Sequence, residues 1–289
     1  MDIRINGKPA DITLESEKKV GDVLAGIENW LEGSLFFISG LELDGKMYGS
    51  SSLDAVFDMP LEEIASINVK TSGWAELMLE ALLGLKDDLE FYETLDEAGR
   101  DENRQRWEKS ATALFLKSNA PELFNLVIKT LEGNFPVSGT LSLVSERIRE
   151  IEDPSRELAG SQTLIEEVAK RLEELPLDIQ TGKDGRAAET ISVFSTLAEK
   201  VFRLIFLFKH FGAPLETIEV PVPDGCLNLK DYIDEFSTAL KELASAYENN
   251  DTVLVGDLAE YELSPRLLCL AGILGGIDLG VIHRKEGLQ

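Results

Sequence analysis

The densest acidic-aromatic cluster in the chain is Asp257, Glu260, Tyr261 and Glu262, on a stretch with helical periodicity. Paired carboxylates suit acid–base or metal chemistry. At 100° per residue Asp257 and Glu260 share one helix face, with Leu254, Leu258 and Tyr261 on the other. Tyr261 is expected at the core's edge, hydroxyl outward. A di-iron bundle would need Glu-x-x-His from further helices, and none can be written from this sequence. The three carboxylates Asp257, Glu260 and Glu262 are therefore read as a partner-contacting acidic patch. No residue is assigned a catalytic role.

Other chemistries fare worse. Two cysteines, Cys226 and Cys269, and two histidines, His210 and His283, make no Cys-x-x-Cys pair, His-Glu-x-x-His helix or zinc-ligand spacing. No metal or cofactor is expected, and both thiols are expected reduced and buried. Gly40-Leu41-Glu42-Leu43-Asp44-Gly45-Lys46-Met47 fills seven places of a phosphate-binding loop. The eighth is Met47 rather than Ser or Thr, Glu42 and Asp44 repel phosphate, and no helix follows. It reads as a hairpin turn. Gln180-Thr181-Gly182-Lys183-Asp184 reads as one helix's C-cap followed by a cap from Asp184. No Gly-x-Ser-x-Gly elbow occurs. His210 and His283 each close a helix, where a cation complements the dipole.

The elements that position these residues fall into two parts. Asp2-Ile3-Arg4-Ile5 alternates, Asn6-Gly7 signals a two-residue hairpin, and Asp11 to Glu15 alternates again. Val20, Val23, Leu24, Ile27, Trp30 and Leu31 follow a helical period. Leu35 to Ile38 reads as a strand, Leu41 to Met47 as a turn-bearing segment, and Ile64 to Lys70 as a last strand. The helix is expected to pack Val23, Ile27 and Trp30 on Ile3, Ile5, Leu14, Ile38 and Ile67. From Trp74 onward nine helices are expected: Ala75 to Leu95, Glu102 to Lys117, Pro121 to Glu132, Leu141 to Ile151, Ser155 to Leu175, Ala187 to Phe211, Leu229 to Tyr247, Thr252 to Leu263 and Pro265 to Ile282. Leu215 to Gly225 is a non-helical connection with two prolines. The fold class is thus α+β, with a module over 1–72 and a large helical bundle over 73–289. A further division is expected near 153, and the non-helical connection spans 213–227.

The Asn6-Gly7 hairpin, Ile12-Thr13-Leu14, the Leu43-Asp44-Gly45-Lys46 turn, Ser52-Leu53-Asp54 and Ile67-Asn68-Val69 together resemble the ubiquitin-like β-grasp fold over residues 1–72. In conjugating modifiers and sulfur carriers of that fold, the chemistry lies in a free C-terminal Gly-Gly. Here the strand runs on into Thr71-Ser72-Gly73-Trp74, so the resemblance implies a docking module and not that chemistry.

Charge narrows the partner. The chain carries 28 Lys+Arg against 53 Asp+Glu, a net charge of −25. Residues 1–72 hold 6 basic and 13 acidic residues, leaving 22 and 40 for the rest, so both parts are acidic. An acidic chain without a run of more than two Lys/Arg does not suit nucleic acid or anionic membrane. The N-terminus lacks an apolar signal region, and the apolar stretch Leu267 to Ile282 is too short to span a bilayer and contains Asp278. A cytoplasmic location and no membrane insertion are expected. Gly272, Gly276 and Gly280 recur every fourth residue and should let a neighbouring helix approach closely. A homodimer through that face is the less favoured reading. The function read from all this is a non-enzymatic interaction module, adaptor, chaperone or assembly factor for a protein partner with basic or amphipathic segments. Its specific form is a chaperone of a secreted or flagellar client. The alternative is an enzyme or enzyme subunit whose carboxylate site is scattered in sequence.

Overall fold

The computed structural model describes residues 1–10, 17–32, 34, 36–222 and 225–277. The fold is mixed α+β, an N-terminal five-stranded sheet followed by a helical region. Two compact units divide the chain, Met1–Ile148 and Arg149–Gln289. The first of them holds the sheet together with the helices up to Ile148.

The first unit opens with β1 (Asp2–Ile5), β2 (Lys8–Pro9), α1 (Val20–Leu31), β3 (Phe36–Leu43), β4 (Lys46–Gly49) and β5 (Ser66–Gly73). The strand order is β2-β1-β5-β3-β4, with β1 parallel to β5 and the other pairs antiparallel. Both expected tight turns form. Asn6-Gly7 and Asp44-Gly45 each place two successive residues at positive φ (50° and 79°, 47° and 84°), the twist a two-residue hairpin requires. The phosphate-loop look-alike is thus the β3–β4 hairpin. The strand expected over Asp11 to Glu15, and with it Leu14, lies outside the described residues.

One face of the sheet receives α1. Val20, Val23, Leu24, Ile27 and Leu31 are buried with Ile3, Leu41, Leu43, Ile67 and Val69, and Ile5 and Ile38 pack half-buried against them. Trp30 does not join them and is 71 % exposed. Trp30 lies at the margin of the stripe, about 20° outside Val23, in the last turn of α1, whereas Leu31 falls within it.

Asp44 ties the hairpin to the start of β5. Its carboxylate accepts hydrogen bonds from the Ala65 and Ser66 amides (3.0 and 2.7 Å) and from the Ser66 hydroxyl (3.2 Å). Asp44→Ala leaves all three donors without this acceptor and puts alanine at positive φ, which a short polar side chain tolerates better. A loss of about 2 kcal/mol is expected, read by urea titration of tryptophan fluorescence.

The unit continues through α2 (Trp74–Glu93), α3 (Glu97–Trp107), α4 (Ala111–Asn119), α5 (Pro121–Leu131) and the start of α6 (Val137–Glu152). The single helix expected over Glu102 to Lys117 is two. Asp96 caps α3 by accepting from the Gly99 amide, and Ser110 caps α4 by accepting from the Ala113 amide. Each cap starts a new helix.

The second unit comprises the end of α6, α7 (Pro154–Gln180), α8 (Asp184–His210), a hairpin of β6 (Glu219–Val222) and β7 (Gly225–Asn228), α9 (Leu229–Glu248), α10 (Thr252–Asp257), a π-helical turn (Leu258–Leu263) and α11 (Ser264–Gly275). The connection expected to be non-helical contains this two-stranded ladder, preceded by one 3-10 turn over Leu215–Thr217. Lys183, not Asp184, precedes α8 as its cap residue, and its side chain makes no capping bond. Gly182 ends α7 at φ 71°, as the C-cap reading required.

Ile165, Leu172 and Leu175 of α7, Phe194 and Phe208 of α8, and Phe236 of α9 are fully buried. Phe236 stacks on Phe202 at 5.6 Å and meets Phe194 edge-on at 6.5 Å. Two ion-pair sets bind α6, α7 and α8 at their polar margin. Arg203 grips the buried Glu150 carboxylate through two bonds of 2.9 and 2.8 Å. Glu157 accepts from Arg149 at 2.9 Å and Lys200 at 3.1 Å. Burial pushes the Glu157 carboxyl up, but the two cations outweigh it and hold it below the usual range. No described helix is long and apolar enough to cross a membrane.

Candidate functional site

The acidic-aromatic cluster sits where α10 passes through the π turn into α11. Pro265 explains the turn. With no amide hydrogen it cannot donate to the Tyr261 carbonyl, and in a regular helix its ring would press on that carbonyl. The chain widens instead, and the Ser264 amide donates to the Ala259 carbonyl five residues back. The helix start expected at Ser264-Pro265 is thus the middle of a continuous helical element, with Leu263 and Ser264 both in helical dihedrals.

The wider turn changes which residues face together. Residues four apart now align closely and those three apart diverge. Asp257 is exposed and Glu260 half-buried, so the two carboxylates are unequally open to water. Leu258 is buried, whereas Leu254 and Tyr261 are exposed, so the apolar face expected from these three is divided. Tyr261 is not a rim residue of the core, since 64 % of it is exposed. Its phenol is held above its ordinary pKa by a hydrogen bond with Glu260, by that carboxylate's charge, and by the charge of Asp257. Asp257, Glu260 and Tyr261 thus form one acidic-aromatic spot.

Glu262 belongs elsewhere. Its carboxylate takes a short contact from Arg266, which also donates to Glu235 of α9 at 3.1 Å. The guanidinium lies 5.8 Å from the centre of the Tyr232 ring. Burial, then the neighbouring Cys269 thiol, raises the Tyr232 phenol. This partly buried network joins α9, the π turn and α11. Nothing in the spacing of Tyr232, Glu235, Glu262 and Arg266 marks them together, because the Arg266–Glu235 pairing crosses 31 residues of chain.

Two further contacts position the segment. Ser264, fully buried, donates to Glu173 of α7 at 3.2 Å. Gly256 lies against Pro176 of α7, where an added Cβ would come within 3.2 Å of the proline's own Cβ. Gly256 is thus the close-approach glycine of this element. Gly272 meets no atom of another element within 4 Å, and Gly276 meets only carbonyls of its own helix. Among the described residues no close packing is seen at Gly272 or Gly276, and Gly280 lies outside them.

The remaining candidates are separate. Cys226 and Cys269 are both free, Cys226 exposed rather than buried and Cys269 half-buried. His210 ends α8 with its ring stacked on Phe206 and edge-on to Phe211. His283 lies outside the described residues. Among the described residues no group of three or more His, Cys, Asp or Glu is arranged to hold a metal ion.

Comparison with known proteins follows the two units. Residues 1–73 match the family model described as the TP0873 N-terminal domain. Residues 158–271, which contain α8, α9 and the π turn, match a domain of unknown function, DUF8042. No solved structure matches. An uncharacterized protein of Treponema pallidum (strain Nichols) is similar at 23 % identity over 289 residues, covering 100 % of each chain.

Proposed function

We propose that the chain is a non-enzymatic protein-interaction module, an adaptor or chaperone in which a β-grasp unit is joined to an acidic helical unit. The observation that carries the reading is the exposed Tyr261 ring, whose phenol feels the charges of both Glu260 and Asp257. An aromatic ring offers contact area at low entropic cost, and flanking carboxylates select a basic partner. The order β2-β1-β5-β3-β4, with a central parallel pair and one helix packed on the sheet, supports the β-grasp part of the reading. A secreted or flagellar client fits the same chemistry if it presents basic amphipathic segments.

The test is association with a partner captured by the full chain, measured at about 50 mM and 500 mM salt, where screening lengths differ several-fold. Asp257→Asn with Glu260→Gln is expected to weaken association several-fold at low salt and to flatten the salt dependence. Turnover of a small molecule abolished by the same substitutions would instead establish the enzyme alternative.

A further inference from the structure

We draw no further inference here: the strongest candidate, the partly buried Tyr232–Glu235–Glu262–Arg266 cluster that joins α9, the π turn and α11, belongs to the site already described, and its guanidinium is already shared between its two carboxylates.

Discussion

Arg203→Met is expected to destabilise the second unit by about 3 kcal/mol, the low end for breaking a buried ion pair. Glu150 keeps 2 % of its side-chain surface in water and depends on two hydrogen bonds from Arg203. Methionine retains the apolar stem but leaves the carboxylate buried and without those donors. The low end applies because the Arg203 side chain is 25 % exposed, so solvent already screens the pair and can reach the vacated position. For a unit of this size the thermal midpoint should fall by roughly 10 °C. Adding Glu150→Leu should restore most of the loss, since an apolar pair of similar volume avoids the desolvation that both charges suffer. A double variant no more stable than Arg203→Met would show that the carboxylate is held by other partners.

Phe236→Ala is expected to cost about 4 kcal/mol. The ring is fully buried and packs on two others, parallel to Phe202 (15° between planes) and steeply inclined to Phe194 (68°). Alanine forfeits the transfer of the ring from water, the aromatic contacts, and the packing around the cavity left behind. Phe236→Leu refills most of that volume and should cost less than half as much. The measurement is urea unfolding followed by far-ultraviolet circular dichroism. Tryptophan fluorescence does not serve here, because Trp30, Trp74 and Trp107 all lie in the first unit. The same separation makes fluorescence the right probe for Asp44→Ala.

Local features of the fold were legible wherever one short stretch carries its own reason. Asn6-Gly7 and Asp44-Gly45 form their hairpins because positive φ at two successive residues favours these residue types. The apolar stripe of α8 is buried as its period requires, from Phe194 through Leu197 and Val201 to Phe208. Pro121 and Pro154 open α5 and α7, where a missing amide hydrogen costs nothing. Pro265 carries the same signal with the opposite outcome, since the flanking helix was strong enough to pass through it by widening one turn.

That widening altered the reading of the site. The α-helical rule of 100° per residue does not hold through a π turn, so spacing alone misplaces Tyr261, which stands in water rather than at the core's edge. Glu262 is adjacent to that spot in sequence, but its charge is committed to Arg266. The residues that hold the segment, Glu173 beneath Ser264 and Pro176 against Gly256, come from a helix some 80 to 90 residues earlier.

Residue order alone determined the α+β class, the helical periods, the tight turns and the acidic character. Each depends on backbone preferences and side-chain chemistry within a few residues, or on a sum over the whole chain. Tertiary structure alone decided where the compact units divide, which carboxylates are exposed, which glycine permits close packing, and that the Tyr261 ring stays in water. Those outcomes depend on which surfaces meet across long separations in sequence. An apolar residue's pattern says that it can be buried, while only its neighbours in space decide whether it is.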